Sequence, residues 1–491
     1  MKRNIKNIGL FIIAGFCFIS CGKDFLSTNP STQLSDEQIF NSIEKAQLVL
    51  TGAYDCFART RWVHTTCQSI FFTPDVMGDD AFVNPTNNYS RFVSAYQYTL
   101  TPSSNECIDP WMSFYNLIDN INAILDNLKN LPEGSERNRI EGEALALRAF
   151  SYHYLVRFYA KPVNKYPSSP GVVLRTTSSF NGLDRSTVQA TYKLIVEDLE
   201  RAVTLLKPSN VKLYIDQKAA EAILARVYLD LGDETNGIKY AEGAVSGMTL
   251  MDQTTYLTKF TEVNSETLWS YESTATDNQG YSSIQAYWYY ADGYNEDTKK
   301  YSNVVSGYNT LRVSKNLYNL IDNSDVRKQL FPLSNKGNLV RYPMETGGML
   351  TTKFRSRDKM GEGSLNMIRG SEMYLIIAEL AADNSHYDKA RNALDAVRVA
   401  RGLGKYSGSD SDLVNEIQLE RRRELFGEGH RIFDIKRRNM PLKRTGIEGH
   451  TLWNAQVDLP AGSDRFELPI PQAEIDASDV LSAADQNPAY K

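Results

Sequence analysis

AEAILARVYLDLGDETNGIKYAEGAV, the stretch at residues 220–245, holds two segments with apolar patterning, joined by a short polar turn. In each segment the apolar residues recur three or four positions apart, which predicts two amphipathic helices with one buried face each. Gly232 and Asp233 supply the turn between them. Small residues at helix crossings are typical of tetratricopeptide-type hairpins. The stretch therefore predicts a helical hairpin whose apolar faces require further helices to cover them.

The same pattern recurs on both sides of this hairpin. A second hairpin is predicted from Met373 to Val397, with its turn at Asn384. Single amphipathic helices are predicted at residues 39–57, 110–128, 138–159 and 192–206. An uninterrupted array would repeat about every 34 residues, but about 120 residues separate Val245 from Arg369. The chain is therefore predicted to be mainly α-helical, with a discontinuous tetratricopeptide-like scaffold and long loop-rich excursions.

Two excursions, residues 60–104 and 248–350, combine aromatic residues with Gly, Asn, Ser, Thr and Asp. Long loops on a rigid scaffold are where binding sites usually lie. The C–H faces of sugar rings stack on aromatic side chains, and their hydroxyls bond to polar groups around the rim. The predicted ligand-binding residues are therefore Trp62, Tyr89, Trp269, Tyr287, Trp288 and Tyr290, with Asp79, Asp80, Asn87 and Asn88 as polar partners. Packing of these rings against the scaffold is the alternative. Trp111 lies in a helical stripe and is predicted to be core.

The first 20 residues have the features of a secretory signal. Lys2, Arg3 and Lys6 precede an apolar run from Ile8 to Ser20, which is too short to span a bilayer. Cys21 follows directly, as in the lipobox of bacterial lipoproteins, where the thiol is acylated. Residues 1–20 are thus predicted to be a signal peptide, Cys21 the lipid attachment site, and residues 21–35 a polar tether. An ordinary signal peptide with an incidental cysteine is the alternative.

Composition and motifs exclude several classes of function. Without residues 1–20 the chain of 491 residues carries 51 basic and 59 acidic side chains, and it has no basic tract, which argues against a nucleic-acid partner. Cys56, Cys67 and Cys107 match no zinc spacing and leave a disulfide open. None of the H-E-x-x-H, G-x-S-x-G or phosphate-loop motifs is present. We therefore predict no catalytic residue, no metal and no cofactor, although a chance pair of carboxylates for glycoside hydrolysis stays open.

Several ordered motifs resemble the SusD/RagB family of surface lipoproteins of Bacteroidetes. They are CGKDFLSTNP at 21–30, EGEALALRAFSYHYLVRFYAKP at 141–162, IRGSEMYLIIAEL at 368–380, ALDAVRVARG at 393–402, ERRRELFGEGHRIFDIKR at 420–437, LPIPQAEID at 468–476 and QNPAY at 486–490. The resemblance covers nearly the whole chain, and the segment at 420–437 is its most specific part. Phe18 and Ile19 depart from the usual lipobox, and Ala489 stands where the closing motif often has glycine.

The resemblance implies about four tetratricopeptide-like helix pairs and a non-enzymatic role. It implies a lipid-anchored protein at the outer-membrane surface that binds a glycan, or less often a peptide, and delivers it to a SusC-like TonB-dependent transporter. A transporter lid without its own ligand site and a surface glycoside hydrolase are the alternatives. The expected division is an N-terminal SusD-like helical region at 36–250, a loop-rich ligand-binding excursion at 251–368 and a C-terminal RagB/SusD region at 369–491.

The segment at 420–437 is rich in charge. Its arginines and acidic residues are spaced three and four apart, so that they can pair along a helix or lock one segment onto another. An anion site is the alternative, and structural clamping is the prediction. Glu372 and Glu379, on an otherwise apolar helix face, are expected to be partners for these arginines.

Overall fold

The computed structural model describes most of the chain from residue 39 onward. The described residues are 39–57, 60–61, 64–85, 88–179, 181–277, 279–288, 291–295, 300–306, 308, 310–331, 348–357, 360–453 and 457–491. The predicted signal peptide, the tether and lipid attachment at Cys21 lie outside these residues.

Helices account for most of the regular structure in this part of the chain. In chain order they are α1 (Ile43–Asp55), α2 (Thr66–Phe71), α3 (Thr73–Val76), α4 (Val93–Gln97), α5 (Asn105–Asn127), α6 (Ser135–Tyr159), α7 (Val188–Leu205), α8 (Gln217–Leu231), α9 (Glu234–Val245), α10 (Gln253–Thr258), α11 (Ile284–Trp288), α12 (Lys315–Leu320), α13 (Gly370–Asp383), α14 (Tyr387–Ala400), α15 (Asp410–Leu425), α16 (Arg431–Arg437) and α17 (Gln472–Ala477). The fold is mainly α, as predicted.

The long helices pack as pairs: α1 with α5, α6 with α7, α8 with α9, and α13 with α14. Each pair then packs on the next through α5 and α6, α7 and α8, and α9 and α13. The last of these contacts joins helices that are about 120 residues apart in the sequence, so the excursion between them leaves and re-enters one continuous helical stack. The predicted scaffold of about four helix pairs is confirmed.

Local sequence explains where the central hairpin turns. The side chain of Asp216 caps the start of α8 by accepting from the Ala219 amide, and Gly232 ends the helix at φ 73°. Asp233 then caps α9 by accepting from the Asn236 amide. At Gly237 a Cβ atom would lie 2.3 Å from Leu380 Cδ1, so the missing side chain is what permits α9 to approach α13.

The strands are short and antiparallel. They are β1 (Thr60–Arg61), β2 (His64–Thr65), β3 (Ala81–Val83), β4 (Pro170–Val173), β5 (Arg185–Thr187), β6 (Thr267–Ser273), β7 (Ala291–Asn295), β8 (Lys300–Ser306), β9 (Leu311–Ser314), β10 (Gly348–Met349) and β11 (Gly363–Arg369). They pair as β1–β2, β4–β5, β7–β8, β6–β11 and a sheet of order β10–β9–β3. In the β6–β11 pair Leu365 lies opposite Tyr271. This ribbon closes the second excursion, because β11 leads directly into α13.

A single apolar cluster runs through the helix pairs and into the excursions. Trp111, predicted to be core, is 2% exposed and packs its ring against Tyr115 and Tyr159. Cys67 and Cys107 are buried free thiols, and Cys56 is also buried. Within the described residues, every helix is too short or too polar to span a membrane.

Candidate functional site

One buried arginine fixes the segment that carries the first group of predicted ligand residues. The Arg444 guanidinium donates to the carbonyl oxygens of Val76 at 2.6 Å and Gly78 at 2.5 Å, and also to the carbonyl of Tyr96. Arg444 is 1% exposed. Since these carbonyls come from both ends of the 76–98 segment, the segment is held at its base while its tip faces outward.

Asp79 and Asp80, predicted as polar partners of a ligand, are committed to arginines instead. Arg431 bonds to Asp79 with Nε–Oδ1 2.5 Å and Nη2–Oδ2 3.0 Å, and Arg422 Nη2 lies 2.6 Å from Asp80 Oδ1. Burial alone would raise the pKa of Asp79, but Arg431 and Arg422 hold it well below its usual range. Both carboxylates are buried, so they lock the first excursion to the 420–437 segment.

The tip of this segment is a tight turn organised by Asn88. Its Oδ1 accepts from the Ser90 amide at 2.7 Å, while its Nδ2 donates to the carbonyls of Asn84 at 2.9 Å and Pro85 at 3.1 Å. The Arg91 amide closes the turn by donating to the Asn88 carbonyl at 2.8 Å. Asn88 therefore shapes the loop, and this use occupies the amide that we predicted would contact a ligand.

The backbone of the turn is in an unusual conformation. Tyr89, Ser90 and Phe92 have φ angles of 51°, 60° and 58°, in the left-handed region that residues with a Cβ atom rarely adopt. Such strain persists only where surrounding contacts determine it, and it is concentrated at functional sites. Here Phe92 is 1% exposed and anchors the turn, whereas Tyr89 is 65% exposed. The strained turn thus presents one tyrosine ring to solvent.

Four side chains meet at this turn, and we call them the tyrosine–arginine platform. They are Tyr89, Arg91, Tyr287 and Tyr308. The ring centroids of Tyr89 and Tyr308 are 5.0 Å apart at an interplanar angle of 63°. The Arg91 guanidinium carbon lies 4.8 Å from the Tyr308 ring centroid and 5.3 Å from that of Tyr287. Arg91 Nη1 also donates to the Tyr287 hydroxyl at 2.5 Å. The Tyr308 amide donates to the Ala286 carbonyl at 2.6 Å.

The members of the platform differ in how accessible they are. Tyr287 is buried, with its ring 5.0 Å from that of Phe72, and burial raises the pKa of Tyr287 to about 12. Arg91 and Tyr308 are half-buried and Tyr89 is exposed. An exposed ring beside a guanidinium can stack against an apolar face while the guanidinium donates hydrogen bonds to oxygens at the rim. Tyr287 supports the platform from below.

Two tryptophans that were predicted to stack on a ligand are core residues in this structure. Trp269 is 1% exposed, and its ring centroid lies 4.9 Å from that of Phe150 and 5.5 Å from that of Phe57. Trp288 is 1% exposed and stacks on Phe354 with centroids 6.0 Å apart. Neither ring presents a face to solvent, because Phe150 and Phe57 cover Trp269 and Phe354 covers Trp288.

The remaining predicted ligand residues, Trp62, Asn87 and Tyr290, lie outside the residues whose side chains are described. Arg91 and Tyr308 complete the platform, and neither was among the predicted ligand residues. Arg91 had a usable signal, since it lies two positions from Tyr89 in a polar, aromatic loop. Tyr308 had none, because 218 residues separate it from that loop and only the fold joins them.

The 420–437 segment forms clamps, as predicted. Glu379 accepts from both terminal nitrogens of Arg437, and Arg421 Nε lies 3.5 Å from its Oε2 atom. The prediction for Glu372 was right about its role and wrong about its partner. Its carboxylate accepts from Arg226 Nε and Nη2, both at 2.7 Å, and Arg226 lies on α8 outside the segment. A charged residue on the facing helix hairpin was closer than any arginine of the segment.

Comparisons with known proteins agree with this architecture. A SusD-like family model described as starch-binding and associating with the outer membrane matches residues 24–229, and the SusD family model matches residues 262–490. SusD-like protein P38 of Formosa agariphila is 26% identical over 236 residues, which are 47% of this chain and 43% of that protein. The match therefore spans less than half the length of that curated relative.

Solved structures match over far more of the chain. A SusD superfamily protein of Bacteroides thetaiotaomicron superposes with a TM-score of 0.79 at 26% identity, covering 91% of this chain and 100% of that one. A SusD-like carbohydrate-binding protein of Bacteroides vulgatus superposes with a TM-score of 0.78 at 24% identity, covering 91% and 98%. The two family models together account for most of the sequence, and both solved structures superpose on 91% of the chain. The chain belongs to the SusD/RagB family.

Proposed function

We propose that this protein binds a glycan at the cell surface and passes it to a TonB-dependent transporter in the outer membrane. The observation that carries the proposal is the exposed Tyr89 ring, fixed beside Arg91 and Tyr308 by a strained turn, in a member of a family whose models and neighbours are described as starch-binding or carbohydrate-binding. A rigid, exposed ring with hydrogen-bonding groups at its edge suits a sugar. Binding and release, without chemistry on the ligand, is the role that these groups support.

The affinity expected of such a platform is weak. An aromatic contact contributes about 1 kcal/mol, and a few such contacts with rim hydrogen bonds give about 4–8 kcal/mol, a Kd of about 1 mM to 1 µM. Weak binding suits a collector that must release its cargo. Trp62, Tyr290 and Asn87 remain predicted ligand contacts.

Titration calorimetry against a panel of soluble oligosaccharides tests this proposal. We expect Tyr89→Ala and Arg91→Ala each to weaken binding about fivefold or more, since each removes one contact. Tyr166→Ala is the matched control, because Tyr166 is an exposed tyrosine (41%) outside the platform. Unchanged affinity in both platform variants would move the site elsewhere. Binding of peptides alone, or of nothing, would favour the peptide-binding or lid-only alternative, and new reducing ends would favour a hydrolase.

The membrane attachment and the partner require their own tests. We expect labelled fatty acid to enter the protein in the native host and to be lost in Cys21→Ser. We also expect the protein to co-purify from detergent-solubilised outer membranes with a SusC-like transporter. Acylation that persists in Cys21→Ser, or a protein that is never recovered with such a transporter, would contradict this part of the proposal.

A further inference from the structure

A cleft of about 860 Å³ opens in the helical scaffold, formed by residues other than those of the platform. Gln47 on α1, the first turns of α6 and the α7–α8 connection form its walls. Its volume is within the range of about 300–1,000 Å³ that is usual for small-molecule sites. A cavity of this size between structural helices needs an explanation that the surface-loop site does not provide.

The apolar wall of the cleft contains Tyr214, whose ring is held in position by a neighbouring tyrosine. The Tyr214 ring is half-buried and meets the Tyr54 ring edge-on, with centroids 5.1 Å apart at 77°. The adjacent Ile215 amide donates to the Tyr54 hydroxyl at 2.9 Å, and that hydroxyl donates to Glu143 Oε2 at 2.9 Å. Val211, which is 54% exposed, extends the apolar surface. The ring is thus held in place before any ligand arrives.

The opposite wall is polar, and the charge of its arginine, Arg139, is already paired with carboxylates. Arg139 Nη1 lies 2.6 Å from Glu143 Oε1, its Nε lies 3.1 Å from Glu136 Oε2, and its Nη2 donates to Gln47 Oε1 at 2.6 Å. The Asn138 side chain is exposed on the same wall. Amide and carboxylate oxygens with spare lone pairs, and amide N–H donors, can meet hydroxyl groups without displacing an ion pair. A charged ligand would have to compete with the existing pairs.

We propose that this cleft is a second carbohydrate subsite, which takes a short neutral oligosaccharide with one sugar ring against Tyr214 and its hydroxyls on Gln47, Asn138 and Glu136. The inference rests on the proposed function, because it assumes that the protein collects glycans. Two separated subsites on one rigid scaffold would hold a polymer more tightly than either subsite alone, through the effective concentration of the second contact.

Titration calorimetry with the longest soluble oligosaccharide that binds, and with its shorter fragments, tests the subsite. Asn138→Trp fills the cleft from an exposed position, and Asn138→Ala is its matched control, which removes the amide without filling the space. We expect short fragments to bind the wild type at two sites. We expect Asn138→Trp to lose one of them and Tyr214→Ala to weaken that one about fivefold. Asn138→Ala should keep the same site at a lower affinity, because it removes one hydrogen bond and leaves the space open. The long ligand is expected to bind Asn138→Trp at least about tenfold more weakly than the wild type.

The outcomes separate this inference from the proposed function. If the wild type binds saccharides at a single site that Tyr89→Ala weakens and Asn138→Trp leaves unchanged, the second subsite is wrong and the proposed function stands. If the wild type binds no saccharide, both are wrong. Circular dichroism confirms that each variant is folded, so loss of a site is not confused with loss of structure.

Discussion

At Glu424 a single carboxylate meets three arginines from three separate parts of the chain. Arg401 Nη2 lies at 2.8 Å, Arg327 Nη1 at 3.0 Å and Arg369 Nη1 at 2.5 Å, and all four side chains are at most 1% exposed. Burial alone would raise the pKa of Glu424, but the three arginines hold it far below its usual range. Such a cluster holds its segments in place only while every charge keeps its partner.

We expect Arg369→Ala to lower the free energy of unfolding by about 3–5 kcal/mol, because it removes one cation from a buried cluster and leaves an excess of negative charge there. Arg369 bonds to both oxygens of Glu428, at 2.6 and 2.7 Å. Urea unfolding at neutral pH measures the change. The matched control is Lys389→Ala, which breaks the exposed pair with Glu242 and should cost less than about 1 kcal/mol. Equal losses in the two variants would contradict a special role for the buried cluster.

Histidine burial sets one part of the pH dependence. Burial lowers the pKa of His430 to about 4, against an ordinary value of 6.5. Because the unfolded chain binds the proton first, His430 favours the folded state above pH 6.5, and this contribution is lost as the pH falls to about 4. We expect urea unfolding at pH 7 and pH 5 to show a smaller loss of stability in His430→Gln than in the wild type. An equal loss of stability in the two proteins would show that His430 does not cause this pH dependence.

At the scale of elements, the turn between α15 and α16 is where the most specific sequence motif is bound to the first excursion. Gly429 has φ 78°, and a Cβ atom there would lie 2.0 Å from the Ile70 carbonyl oxygen. The Gly429 amide also donates to Asp75 Oδ2 at 3.3 Å. The turn therefore needs both a left-handed backbone and the absence of a side chain.

We expect Gly429→Ala to destabilise the protein well beyond the cost of its φ angle alone. Gly446→Ala is the control, because Gly446 has φ 77° and a Cβ atom added there would meet no atom of the described residues within 4 Å. Gly446→Ala should lower the free energy of unfolding by about 1–2 kcal/mol. Gly429→Ala should lower it clearly more, because the Ile70 carbonyl must also move. Thermal and urea unfolding compare the two. Similar losses of stability in the two variants would mean that α2 can shift at little cost and that the contact with Ile70 does not restrict Gly429.

The helices could be predicted from sequence more completely than the site. Periodicity placed α6 and both hairpins within a few residues, since one buried face per helix leaves a spacing signal. Burial of Trp269 and Trp288 could not be predicted in this way, because an aromatic residue in a loop has no period that tells core from surface. Likewise Tyr308 contacts Tyr89 only because the excursion folds back onto the first loop. No local sequence pattern predicts a contact between residues so far apart in the sequence.

On the scale of the whole molecule, the helical stack and the second excursion share one core. Trp269 on β6 packs against Phe150 on α6, and β11 continues into α13 without a linker. The Glu424 cluster adds a polar connection, because Arg327 belongs to the excursion, Arg369 ends β11 and Glu424 lies on α15. The excursion is therefore a built part of the scaffold and not an appended domain.

We expect the helical stack and the second excursion to unfold together. Far-ultraviolet circular dichroism reports the helices, and near-ultraviolet circular dichroism reports packed aromatic residues, many of which lie in the excursion. Coincident midpoints in urea would support a single cooperative unit. An earlier transition in the near-ultraviolet signal would show that the excursion opens while the stack survives, and the contacts of Trp269 and Glu424 would then be too weak to couple them.

The three buried cysteines also determine how the protein can be handled. Burial raises the pKa of the Cys67 and Cys107 thiols well above the ordinary value, so little nucleophilic thiolate forms at neutral pH. A chain expressed from Gly22 onward contains only Cys56, Cys67 and Cys107. A dye-bearing maleimide should therefore not react with the buried thiols of the folded protein. It should react with one cysteine introduced at the rim of the platform or the cleft. Ligand binding would then change the fluorescence of the dye, and no natural cysteine has to be removed first.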